Sequence, residues 1–194
     1  MNAMSTNNPT LQAKAIAALN DALKTAAASG DIETALSAIS AGAWTALGDP
    51  KAHERPGALK PGEHQFAVSG YFMLSPDGTE TILVAEHGFP PEQHRLRIAS
   101  DLAHPGWVVK HRKPLLLANT DEDSNFKQIL KTARMGSAMY SPMIWGETFI
   151  GLLITASQAR NTYGEDDHTA HQAFANAAAA VYMAHDGPGF TKAL

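Results

Sequence analysis

Nine histidines and no cysteine decide much of what chemistry this chain can do. Without a thiol there is no disulfide staple, thiolate metal site, iron–sulfur cluster or cysteine nucleophile. Histidine alone could ligate a metal or haem, and the nearest helical pair, His168 and His171, stands at a three-residue spacing. That pair lacks a third ligand and the other histidines are scattered, so no metal site and no cofactor are expected. Gly106 precedes a short helix that the pattern starts at Trp107. Free N–H groups and the helix dipole at such a start favour an anion, although the glycine could equally serve only to make the turn. Trp107 supplies a flat apolar wall, to a pocket or to the core. Arg97 and His104, on the approach to that helix, could add a bidentate donor fork and a group titrating near neutrality, or stand in solvent as surface residues. There is no nucleophile elbow, phosphate loop, paired-carboxylate spacing or zinc-hydrolase pattern, and no enzymatic activity is expected.

The elements that must position these residues follow from periodicity. Leu11, Ala15, Leu19, Leu23 and Ala26 recur at helical spacing before Gly30, and Asp31 caps a second helix carrying Ile32, Leu36, Ile39, Ala43 and Ala46. Both are rich in alanine, so they can approach another helix closely, on a domain face or at a dimer seam. Residues 51–64, with two prolines and two glycines, read as a linker. From Gln65 to Leu74 the pattern alternates, Phe66, Val68, Phe72 and Leu74 against Ala67, Ser69, Tyr71 and Met73. A turn at residues 75–78 then returns the chain along Thr81 to Glu86 as a hairpin. Short strands are expected at 94–98 and 115–118, brief helices at 107–112 and 126–132, and a second hairpin at 137–144 and 148–156. The last helix runs over 165–184 with Ala170, Ala173, Phe174, Ala177 and Val181 inward. Helices and antiparallel hairpins segregated in this way imply an α+β fold: an antiparallel sheet flanked by helices. The division is an N-terminal helical segment and linker at 1–64, a main domain at 65–185 and a short tail at 186–194.

Composition sets the outer limits. With 194 residues, 44% of them hydrophobic and 18% charged, the chain can bury one sizeable core. Its net charge of −4 comes from mixed acids and bases with no basic stripe, which argues against nucleic acid as a partner. The absence of an apolar run of about 20 residues and of a leader-like start argues against a membrane and for the cytoplasm.

In its second half the chain resembles the GAF domain family. The run Gly106-Trp107-Val108-Val109-Lys110-His111-Arg112-Lys113-Pro114-Leu115-Leu116-Leu117 looks like the family's glycine, short helix, proline and strand; residues 120–126 look like its acidic loop ending in phenylalanine. The stretches 135–144 and 149–153 are similar to its paired strands, and Tyr163-Gly164-Glu165-Asp166-Asp167 to the start of its final helix. The resemblance spans about residues 65–184. It implies a pocket between the sheet and the short helices, a small-molecule ligand and a change in flanking helices on binding. The expected ligand-binding residues are Arg97, His104, Gly106, Trp107, Val108, Met139 and Ser141, the last two sharing one strand face opposite Tyr140. The cysteine-dependent branches, free methionine sulfoxide reductases and bilin-attaching members, are excluded by composition. The leading expectation is a sensor, with an anion as one candidate ligand, that forms a homodimer and acts in trans on a regulatory protein such as a kinase. The alternatives left open are a ligand-free dimerisation module and a haem-binding sensor.

Overall fold

A computed structural model of the chain describes residues 9–128 and 134–194. Helices α1 (Pro9–Ala28) and α2 (Ile32–Ala46) come first. The Asp31 carboxylate accepts a 2.7 Å bond from the Thr34 N–H, which caps α2 as its sequence requires. The strands β1 (Ala67–Leu74), β2 (Glu80–His87) and β3 (Arg97–Ala99) follow, then α3 (Ala103–His111), β4 (Leu115–Leu117), β5 (Ser137–Trp145) and β6 (Thr148–Ser157). The chain closes with α4 (Glu165–Ala184) and a short helix, α5 (Gly187–Ala193). All pairings are antiparallel, in the order β3-β2-β1-β6-β5-β4, so the fold is α+β with a six-stranded sheet. The short helix expected at 126–132 lies largely outside the described residues; its first three residues, 126–128, are irregular.

Strand alternation divides the core in two. Tyr71 and Met73 of β1, Ile82 and Val84 of β2, Met139 and Met143 of β5 and Leu153 of β6 point toward α1, α2 and α4. Val68, Phe72, Leu83, Tyr140, Leu152, Ile154 and Ala156 point the other way, toward α3 and the loops. On the helical side α2 buries Leu36, Ile39 and Ala43 completely. It also serves an irregularity in the sheet: the register of β1 against β2 shifts near Ser69, where Ala85 adopts a positive φ of 49°. The backbone groups this bulge frees are met by α2, Ser40 Oγ donating to the Ala85 carbonyl (2.7 Å) and Glu33 Oε1 accepting from the Ala85 N–H (3.3 Å).

The stretch 51–64 is held down more firmly than a linker. Arg160, almost fully buried, donates to both Glu63 oxygens and through Nε to Asp121 Oδ2 at 3.0 Å, and Lys60 reaches the same Asp121 oxygen at 2.7 Å. These cations hold the Asp121 carboxyl down at about 2. The buried stripe of α4 also differs from the expected one. His171, Phe174, Ala175, Ala178 and Tyr182 face the core, whereas Ala173 is exposed and Ala170, Ala177 and Val181 are half-buried. Polar residues were given an outward place by the pattern; here Asp167 and His171 turn inward because bonding partners wait there. Gly48 N–H donates to Asp167 Oδ1 (2.7 Å), and two hydroxyls flank His171. Among the described residues no helix is long and apolar enough to cross a membrane.

Candidate ligand-binding site

The face of the sheet that lacks a helical layer is covered by α3 and by residues 119–128. That covering loop is built by its own short polar side chains. Asn119 Oδ1 accepts from the Asp121 N–H (3.1 Å), Asp123 Oδ1 from the Asn125 N–H (2.8 Å), and Thr120 Oγ1 donates to the Met135 carbonyl (2.7 Å). The result presents Phe126 to the sheet. Arg134 lies over one face of its ring, 4.6 Å from the centroid, a favourable cation–π placement.

Between loop and sheet is a cavity of about 30 Å³, walled by Val68, Phe72, Phe89, Phe126, Met135, Tyr140, Ile154 and Ala156, with Lys127 and Gln128 at its mouth. It has room for about one or two waters. Beside it an open hollow of about 630 Å³ is lined by Asp101, His104, Trp107, Asp123, Ser124, Asn125 and Lys127 among others. His104 divides the two. Its ring packs on Phe126 (5.6 Å between centroids) and on Tyr140 (6.2 Å), while Nε2–H donates to Asp123 Oδ2 at 3.0 Å. The Asn125 N–H and the imidazole hold the Asp123 carboxyl below its ordinary range, so the hollow carries a carboxylate at neutral pH. Burial pushes the Tyr140 phenol well above its ordinary value, and the nearby Asp123 charge adds to that; the phenol is a neutral hydrogen-bond donor.

The structure gathers some of the expected residues here and sends others elsewhere. His104 and Trp107 line the hollow, Trp107 being 37% exposed with its indole stacked on His111 at 4.5 Å. Val108 is fully buried beneath them, in the core of this face. Gly106 does not open the helix. Helix α3 begins at Ala103, four residues before the expected start, because proline is tolerated in a first turn, where its missing N–H costs nothing. The Gly106 N–H is therefore bonded to the Leu102 carbonyl (2.9 Å), and the free donors expected ahead of Trp107 are not there. The glycine is needed for space: a Cβ would collide with the Asp101 backbone.

Arg97 stands outside the cluster, on the far edge of the sheet, bonded to Glu80 Oε2 (3.0 Å) and to the Leu194 carbonyl (2.7 Å). Met139 and Ser141 do share one face opposite Tyr140, but it is the helical face. Met139 packs in the helical core and Ser141 bonds His171, so Tyr140 is the β5 residue at the cavity. Tyr140, Phe126, Phe89 and Asp123 were not singled out from sequence. The alternation that separated Tyr140 from its neighbours was legible; which face carries the helices was not.

The family model of the GAF domain matches residues 60–182. Among solved structures, the GAF domain of a phosphoenolpyruvate-protein phosphotransferase from Coxiella burnetii superposes with a TM-score of 0.74 at 18% identity, covering 92% of this chain and 98% of that one. The free methionine-R-sulfoxide reductase from Neisseria meningitidis, solved with its substrate, gives 0.71 at 14% identity, with 97% and 99% covered. The corresponding domain of an Acinetobacter phosphoenolpyruvate-protein phosphotransferase gives 0.68 at 13%, with 89% and 94% covered. No curated protein sequence matches the chain. At these identities the likeness carries the fold alone, and with the family match over most of its length the chain belongs to the GAF domain family.

Proposed function

We propose that this chain is a small-molecule sensor, not an enzyme, whose ligand occupies the space between the Tyr140 face of the sheet and the loop over 119–128. The observation that carries this reading is the cavity itself, an apolar, ring-lined space with a donor at its wall and a polar hollow beside it, the usual composition of a small-molecule site. The covering loop is anchored by local bonds and presents Phe126 as a movable wall, which suits binding coupled to rearrangement. The helix-start donors expected for an anion are occupied, and the hollow carries both signs of charge, Asp101 and Asp123 with Lys127. We take the output to be a regulatory partner such as a kinase, acted on in trans by a cytoplasmic homodimer. Apolar side chains left exposed on the helical layer, Ile16, Leu23 and Trp44, offer a surface for such contacts.

Native mass spectrometry of protein purified from its own host tests the reading. The expected result is a retained small molecule that is lost from Ala156→Val, a change that puts two carbons into the cavity. Protein that carries nothing, and that no compound in a metabolite panel stabilises against heat, would favour a ligand-free dimerisation module.

A further inference from the structure

Where β2 outruns β3, three segments of the chain bring metal-binding side chains together. Strand β3 pairs with β2 only from Glu80 to Ile82. Beyond that the turn carrying His94 and Arg95 lies alongside, the Leu83 N–H donating to the Leu96 carbonyl at 2.8 Å. The first turn of α2 meets the same stretch, Glu33 Oε1 accepting from the bulged Ala85 N–H. Glu33, Glu86 and His94 each offer one oxygen or nitrogen, and the three atoms lie within 4.8 Å of one another. Thr34, Ser37 and Ala85 complete an open hollow of about 290 Å³ around them.

Two carboxylates and an imidazole suit a divalent transition ion, whereas magnesium and calcium prefer oxygen alone. The bonding within the group is incomplete. Glu33 is balanced by Arg95, which donates to its Oε2, and its Oε1 keeps a lone pair. His94 Nδ1 donates to Glu86 Oε1 at 2.7 Å, but Glu86 Oε2 is buried without a hydrogen-bond partner. A carboxylate oxygen in that state is costly unless something positive reaches it. The Glu86 side chain is 14% exposed and the His94 side chain 52%, so the orphaned oxygen is shielded from water while the imidazole leaves an entry path.

From these contacts we propose that the α2–β2 edge is a site for a divalent transition ion, zinc above all. Glu33 and Glu86 give it oxygens, His94 gives Nδ1 in exchange for the hydrogen donated to Glu86, and water fills the remaining positions. The site uses neither His168 nor His171, the pair singled out by spacing; His171 is enclosed by Ser141 and Thr155. It shares no lining residue with the loop-face cavity and is independent of the ligand proposed there.

Titration calorimetry of the full chain with zinc chloride tests it. One zinc per chain is expected to bind and to raise the melting temperature, with affinity falling about tenfold or more in Glu86→Gln and in His94→Gln. Magnesium and calcium should give no measurable heat. His111→Gln, which removes an exposed histidine of α3, should bind zinc as the wild type does. Circular dichroism of the metal-free variants separates a lost ligand from a lost fold. Cobalt chloride gives a reading on the wild type alone: a visible spectrum unlike that of cobalt in buffer, abolished by zinc. No zinc binding by the wild type, undiminished binding in both site variants, an equal loss in His111→Gln, or a cobalt spectrum unchanged from buffer overturns the site.

Discussion

The two faces of the sheet are made from the same strands yet differ in how they are closed. On the helical face, three helices bring alanines close to the strands, and one buried polar network is paired without water. Ser141 Oγ and Thr155 Oγ1 lie 2.7 and 3.0 Å from the two ring nitrogens of His171, and Ser69 Oγ lies 2.9 Å from Thr155 Oγ1, all four residues being fully buried. A neutral imidazole gives a hydrogen at one nitrogen and takes one at the other, which suits a hydroxyl on each side. On the loop face a nine-residue helix and a self-bonded loop leave a cavity and a large open hollow. One face is finished by folding and the other awaits something. The two are adjacent through the strands: Val68, Tyr140, Ile154 and Ala156 of the cavity are chain neighbours of Ser69, Ser141 and Thr155 in the buried network.

Phenylalanine truncation should expose this contrast most strongly. Phe174→Ala, within the closed helical core, is expected to cost about 3–5 kcal/mol in urea denaturation, whereas Phe126→Ala on the loop should cost about 1 kcal/mol or less, since that ring is only half-buried. Similar losses at the two sites would mean that the loop face is as tightly packed as the helical one.

A second, smaller effect is a dependence on acid. Burial, with a lesser contribution from His168, lowers the His171 pKa to about 3. The unfolded chain then binds a proton near pH 6.5 that the folded chain refuses. Stability is thus full above pH 6.5 and falls as the pH drops from 6.5 toward 3, by at most about 1.4 kcal/mol per pH unit. His171→Gln should be less stable than the wild type at pH 7 by about 1–3 kcal/mol, from imperfect pairing with Ser141 and Thr155, and flatter between pH 6 and 4. A profile that keeps its slope in the variant assigns the acid sensitivity to other groups.

The smallest effect comes from adding volume. Ala178→Val on the helical face, where Ala178 is fully buried, should destabilise by about 1–3 kcal/mol through overpacking. Ala156→Val on the loop face should change stability by about 1 kcal/mol or less, because the cavity takes up the new methyls. Equal penalties in thermal melts would show that the loop-face space is not there in solution.

How much of this was legible beforehand depended on whether a local rule sufficed. The Asp31 cap, the alternation along residues 66–74, the turn at 75–78 and the start of α4 at Glu165 all match what the sequence implied, since each depends on neighbours a few residues away. Helix α3 was placed late because Pro105-Gly106 was read as punctuation, when a proline in the first turn and a glycine packed on the Asp101 backbone are both helical positions. Of the expected site, His104 and Trp107 lie at the hollow, while Met139, Ser141 and Arg97 lie away from it. The tail at 186–194 folds as α5, with Tyr182 Oη 2.7 Å from Thr191 Oγ1, a long-side-chain contact that no short pattern encodes.

By itself, the sequence determined the class of the fold, the order of its elements, which residues of each strand share a face, and that no thiol chemistry is available. Only the tertiary structure decided which of the two faces α1, α2 and α4 would cover, and hence that Tyr140 and not Ser141 meets the cavity. The physical reason is that a strand pattern with apolar residues on both sides is symmetric under exchange of its faces. That symmetry is broken only when α2 satisfies the bulge at Ala85 and α4 brings His171 onto the hydroxyls of β5 and β6, contacts between residues 16 to 52 positions apart.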